Sequence, residues 1–192
     1  MINHISAIVA QSLEVKRRYF AGHAEDLVRA AEIIAESFRA GGKVLLCGNG
    51  GSSTDAQHIA GELVNQFSRV KRRALPALAL STDGGVLTSI ANDTGFENVF
   101  ARQVEAFGAR NDVLVAITTS GTSANIVAAV ERARAQGLKV IGLLGRDGGA
   151  VAPLCDLALV VESADTQRIQ ETHNLISHIL CELVERMLFK ED

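Results

Sequence analysis

Six consecutive residues, Thr118, Thr119, Ser120, Gly121, Thr122 and Ser123, supply five hydroxyl groups and one glycine between an apolar run and a helical pattern. A helix leaves its first N–H groups unpaired and carries a partial positive charge at that end. A neutral basket of hydroxyl and amide donors placed there suits a phosphate dianion. One hydroxyl residue is enough to cap a helix, so the excess favours a ligand. A second turn occupies the equivalent place after an earlier apolar run and reads Gly48, Asn49, Gly50, Gly51, Ser52, Ser53, Thr54, Asp55. Its glycines permit positive φ and close approach of backbone to a ligand, while Ser52, Ser53 and Thr54 offer hydroxyls and a cap. It is not the dinucleotide fingerprint, which needs glycine at position 53, nor a P-loop, because no Gly-Lys-Ser/Thr follows. Taken alone, this turn is explained equally well as a tight strand-to-helix junction with no ligand.

Acid/base and metal-binding side chains cluster in two other places. His58 and Glu62 lie four apart on the helix that leaves the glycine turn, so both side chains share one face and can converge on one ion. Such a pair is more often a surface contact than a metal site. Near the end of the chain Gln170, Glu171, His173 and His178 fall in one helical stretch. Gln170 and His178 are eight apart, about 12 Å along a helix axis, which is too far for one ion unless Gln170 reaches forward from a frayed first turn while His178 leans back toward the N-terminus, or the two come from different subunits. His173 reads as a half-buried polar residue facing a neighbouring helix. Asn92 and Asp93, before Thr94 and Gly95, form either an ordinary turn or an amide and carboxylate offered to sugar hydroxyls.

These groups need a scaffold, and the apolar pattern supplies one. Residues 2–40 carry apolar positions at helical spacing, broken near Gly22 and His23, which predicts two helices. Five short apolar runs follow, at 43–47 (KVLLC), 75–80 (LPALAL), 113–117 (VLVAI), 139–144 (KVIGLL) and 157–161 (LALVV). Helical stretches lie between them, at 53–67, 85–91, 96–107 and 123–136, with a last one at 166–188. Strands that read as continuous apolar runs are buried on both faces. Their alternation with helices predicts an α/β fold, a three-layer doubly wound sandwich around a mainly parallel five-stranded sheet with right-handed crossovers. Additional N-terminal and C-terminal helices flank it. We read residues 1–192 as one domain: a helical segment to about 40, an α/β core over about 41–163, and a closing helix over about 166–188. Pro76 inside the second run makes that strand's limits uncertain.

With 192 residues, 47% of them hydrophobic, the chain can bury a substantial core. A formal charge of −3 provides no broad positive field for nucleic acid or an anionic membrane. The basic run at 69–73 (RVKRR) reads as a solvated loop. The first sixteen residues mix polar with apolar positions, unlike a signal peptide, and no run approaches the roughly 20 apolar residues of a membrane span. The expected location is cytoplasmic. Cys47, Cys155 and Cys181 are scattered and odd in number, which suits buried thiols rather than a disulfide framework.

The runs CGNGGSSTDAQHIAGEL, TTSGTSANI, GRDGG and RIQETHNLISHIL, with Asn92 and Asp93 before TGF, occur in an order that resembles the phosphoheptose isomerase family of the sugar isomerase (SIS) domain superfamily. The similarity extends from the helices near Ala30 to Leu188. It implies a SIS fold, isomerisation of sedoheptulose 7-phosphate to D-glycero-D-manno-heptose 7-phosphate, and a place at the first step toward ADP- or GDP-heptose and the heptose of bacterial surface polysaccharides such as lipopolysaccharide. It further implies a zinc cofactor and a homotetramer with active sites between subunits. Carried over residue by residue, the zinc ligands are His58, Glu62, Gln170 and His178, with Glu62 and His178 also the acid/base pair. Substrate contacts fall on Asn49, Gly50, Gly51, Ser52, Glu62, Asn92, Asp93, Thr118, Thr119, Ser120, Ser123 and Gln170. Ser53 and Thr118 depart from relatives that carry His and Ser there, which leaves details of substrate contact open. A non-catalytic relative of similar fold, a tetrameric scaffold that binds the replication initiator DnaA, is the competing reading. That group lacks the equivalents of Glu62 and His178, and both are present here.

Overall fold

The computed structural model describes residues 1–68 and 71–189. The two stretches with apolar residues at helical spacing become helices α1 (Ile2–Gly22) and α2 (Ala24–Arg39), joined at His23. The alternating part then runs β1 (Val44–Gly48), α3 (Gly51–Val64), β2 (Ala77–Ala79), α4 (Gly84–Thr94), α5 (Ala101–Phe107), β3 (Val113–Thr118), α6 (Ala124–Ala135), β4 (Lys139–Gly145), β5 (Leu157–Val161) and α7 (Thr166–Leu188). Single 3₁₀ turns at Phe96–Asn98 and Ala152–Leu154 complete it.

All strand pairings are parallel, in the order β2-β1-β3-β4-β5. Every residue of β1 and β3 is buried, as continuous apolar runs require of central strands. One face of the sheet packs on α2, α3 and α7, with Ile34, Phe38, Ile59, Leu63, Ile176 and Val184 in the core. The opposite face packs on α5 and α6 through Phe100, Val104, Ile126 and Val130. The three-layer doubly wound sandwich therefore forms as the sequence pattern predicts. Pro76 ends up just outside the short edge strand β2, where its carbonyl accepts from Val44 N–H at 3.0 Å.

Successive crossovers from β1 and β3 leave in opposite directions, so the loops at the carboxyl ends of these neighbours part and open a crevice between them. Both predicted ligand loops sit at this switch point, since Gly48 of β1 pairs with Ile117 of β3. The observed limits differ locally from the pattern. The expected helix over 96–107 begins as a 3₁₀ turn and becomes α-helical only at Ala101, because Gly95, with φ +98, breaks the path from α4. Among the described residues no helix is long and apolar enough to cross a membrane.

The basic run at 69–73 requires a correction. Arg69 and Val70 lie outside the described residues. The side chain of Arg72, however, is fully buried and bonded to Glu185, so that part of the run is not a solvated loop. An arginine with a buried carboxylate partner leaves no apolar pattern in the sequence to reveal it.

Candidate active site

The glycine turn is shaped by close packing. A Cβ at Gly48 would stand 2.5 Å from the Ser52 carbonyl oxygen, and Gly50 adopts φ +54 at the cap position of α3. Ser52 is buried on the inner side of the turn. Asn49 does not project freely. Its amide exchanges two hydrogen bonds with the amide of Asn125, at 2.9 and 2.8 Å, across the crevice to the first turn of α6. Asn125 was not singled out by residue pattern. Its signal is a buried asparagine two residues beyond a ligand loop, and its effect is to tie the two loops together.

The hydroxyl loop is braced from within and from below. Thr118 Oγ1 accepts from Gly121 N–H at 3.2 Å, and Ser120 Oγ accepts from the hydroxyl of Thr122 at 3.2 Å. Gly121 has φ +67, and a Cβ there would overlap the Gly148 carbonyl group. The Gly121 carbonyl in turn accepts from Val151 N–H at 3.1 Å. A Cβ on Gly145 would lie 2.5 Å from the carbonyl oxygen of Thr119. The segment GRDGG at 145–149 is therefore the support on which this loop rests. Ser123 occupies the cap position of α6, yet its hydroxyl makes no capping bond. The start of that helix leaves its first N–H groups without intrahelical partners, as at any helix N-terminus.

His58, Glu62 and His178 meet, although 116 residues separate the second from the third. One ligand atom from each lies within 4.8 Å of the others. His58 Nε2 is 3.2 Å from Glu62 Oε1 and 3.4 Å from His178 Nε2, with the two rings nearly perpendicular at a centroid separation of 5.0 Å. The three side chains are half-buried on facing sides of α3 and α7. Two imidazole nitrogens and a carboxylate oxygen, with an open side, form a donor set suited to Zn²⁺. Beside them, burial raises the Asp55 carboxyl above its ordinary range, an effect that His58 partly offsets. Asn174 stands one turn before His178 and places its amide 3.5 Å from His58 Nδ1. Phe67 sets its ring 5.4 Å from that of His178.

The remaining candidates sit elsewhere. Gln170 packs its amide over Gly51, where a Cβ would come within 2.5 Å of Nε2. Within one chain it lies at the glycine turn, about two helical turns from the group around His58. Asn92 and Asp93 do not form a turn but end α4, both exposed, with the Asn92 amide donating to Asp93 at 2.8 Å. Glu171 is occupied in joining α1 to α7, accepting from Ser12 and from Arg168, both at 2.6 Å. His173 is fully buried rather than half-buried, and it faces the sheet rather than a helix, with Nε2 donating to the Leu144 carbonyl at 3.0 Å. Burial lowers its pKa to about 4, against a smaller opposing effect of that hydrogen bond.

Residues 9–145 match the model of the SIS domain family. A phosphoheptose isomerase of Roseiflexus sp. is 51% identical over 183 residues, covering 95% of this chain and 92% of the relative. Among solved structures, a phosphoheptose isomerase from Francisella tularensis superposes with a TM-score of 0.93 at 39% identity, over 96% of this chain and 98% of that one. That from Neisseria gonorrhoeae gives 0.90 at 42% identity, over 95% and 97%. The match runs through both loops and through α3 and α7, the elements that build the site. The chain belongs to the phosphoheptose isomerase family of SIS-domain proteins.

Proposed function

We propose that this sugar-phosphate isomerase interconverts sedoheptulose 7-phosphate and D-glycero-D-manno-heptose 7-phosphate with zinc held by His58, Glu62 and His178. The observation that carries the reading is the meeting of these three side chains on α3 and α7, where α3 leaves one of the two donor-rich loops at the switch point of the sheet. Thr118, Thr119, Ser120 and Ser123 hold the phosphate at the N-terminus of α6. The backbone of Gly50 and Gly51, with Asn49, lines the path of the sugar chain. Converting ketose to aldose requires a proton to leave the carbon beside the carbonyl and another to reach the former carbonyl carbon, through an enediol. Glu62 and His178 are the two groups for this exchange. When bound, zinc supplies Lewis-acid stabilisation of the oxygen that gains negative charge. Asn174 places its amide nitrogen 3.5 Å from His58 Nδ1, on the side of the ring opposite the Nε2 that faces Glu62 and His178, where it can help to orient the imidazole.

Gln170 completes the ligand set from another subunit, which resolves its distance from His58 within one chain. The proposed tetramer is supported by α1, which exposes Ile2, Ile5, Val9 and Leu13 at 79, 60, 51 and 62% along one stripe. Asn92 and Asp93 are assigned to the sugar hydroxyls on the same reading. We place the enzyme in the cytoplasm, at the first step toward nucleotide-activated heptose.

The test is turnover. Zinc-loaded protein incubated with sedoheptulose 7-phosphate should form the aldose phosphate, and its absence with metal bound would leave the scaffold reading in place.

A further inference from the structure

The chain leaving α3 returns to the sheet past Arg72, whose side chain has no exposed surface. Its guanidinium is bonded on every side. Nη2 donates to the Glu62 carbonyl at 2.8 Å, Nη1 to the carbonyls of Leu63 and Arg73 at 2.9 and 3.0 Å, and Nε to Glu185 Oε1 at 2.6 Å. Glu185, near the end of α7, also accepts from the N–H groups of Phe67 at 2.8 Å and Ser68 at 3.0 Å. Helix α3 ends without a left-handed cap residue, since Asn65 has φ −85 and ψ −94. The cation therefore stands at the end of α3, where it partners the Glu62 carbonyl and adds a second donor to the Leu63 carbonyl, which also accepts from Leu75 N–H at 3.1 Å.

A surface lysine or water would satisfy those carbonyls at less desolvation cost, and apolar pairs commonly replace buried ion pairs without loss of stability. What this pair adds is placement. The last turn of α3 contains Glu62, and the tethered Phe67 ring lies against His178. We infer that Arg72 and Glu185 are positioning residues, which lock the end of α3 to α7 and thereby hold Glu62 and His178 at the spacing a shared cation needs. The inference rests on the metal reading proposed above.

Arg72→Lys keeps the charge but loses the fork, and Glu185→Gln keeps an acceptor but loses the charge. Phe67→Leu leaves the buried pair intact and is the variant least able to disturb folding. Val130→Ala, on the opposite face of the sheet, serves as the control for general destabilisation. Zinc affinity of each full-length protein is measured by competition with a chromogenic chelator, beside its melting temperature. Both clamp variants should bind zinc about tenfold or more weakly than the control at comparable melting temperature, and Phe67→Leu several-fold more weakly than wild type. Their kcat should fall with the KM for sugar phosphate little changed, because the hydroxyl loop lies on another strand.

Wild-type zinc affinity in Phe67→Leu and in whichever clamp variants fold would overturn the inference while leaving the metal reading intact. A wild-type protein that binds no zinc would overturn the metal reading itself.

Discussion

The hydroxyl loop and the His58 group are both proposed to present polar atoms to a ligand, but they start from opposite points. The loop is six residues in a row, and its shape follows from local chemistry: a positive-φ glycine, hydroxyls bonded to nearby N–H groups, and a helix start. The His58 group is assembled from two helices far apart in sequence, and nothing local dictates that they meet. Its geometry depends on packing of α3 and α7 against one face of the sheet and on the buried Arg72–Glu185 pair. A contiguous site tolerates loss of one donor among several. A distributed site is lost when any of its few members goes.

The largest expected effect falls on the distributed site. Glu62→Gln should lower kcat by on the order of 10³-fold or more, because it removes a proposed base and a metal ligand together. Inorganic phosphate should still compete for the loop, as inhibition or calorimetric titration would detect. Retained activity would remove Glu62 from its assigned role. A backbone lesion in the contiguous site comes next. Gly121→Ala forces a Cβ toward Gly148 at φ +67, and KM for the sugar phosphate should rise by roughly tenfold to a hundredfold. A value near wild type would show that the loop does not depend on its support from 145–149. Smallest is the loss of a single donor: Ser123→Ala should raise KM about two- to fivefold, since neighbouring hydroxyls and N–H groups remain.

Stability should also separate the two regions by pH. His173 is neutral and buried beneath the hydroxyl loop's support, with a folded pKa of about 4 against an ordinary 6.5. The unfolded chain therefore binds the extra proton first as pH falls. The stabilisation is full above about 6.5 and declines between 6.5 and 4, by on the order of 3 kcal/mol. Urea melts across this range should show the decline, and His173→Gln should flatten it. An unchanged slope would mean that another group governs the acid limb.

Glu185 behaves differently. Burial raises its pKa, but bonds from the Ser68 hydroxyl, Phe67 N–H, Arg72 and Ser68 N–H outweigh that and bring it to about 2. Its contribution is present above the ordinary carboxylate range and lost only as pH falls toward 2. The clamp at the His58 group should thus outlast the charge-neutral state of His173 on acidification.

The contrast explains what could be read in advance. Continuous apolar runs identified β1, β3 and β4 because both faces of these strands are covered, and hydroxyl-rich turns were visible because their chemistry is local. The shared face of His58 and Glu62 followed from helical spacing. Arg72 and Glu185 stayed hidden because each looks like an ordinary surface charge until the partner 113 residues away is placed beside it. Asn125 and Asn174 were hidden likewise, as common residues made specific only by a partner across the crevice or across helices. For Asn92 and Asp93 the Asn-Asp-Thr-Gly composition suggested a turn, but the α4 helix continues through them until Gly95 supplies the break.

The central claim is that His58, Glu62 and His178 hold one metal ion. Zinc-edge X-ray absorption on stoichiometrically loaded protein tests it most directly. A first shell of nitrogen and oxygen near 2.0–2.1 Å with the scattering of two imidazoles, reduced to one in His58→Ala or His178→Ala, is the predicted result. A sulfur shell, or a spectrum that neither substitution alters, would contradict it.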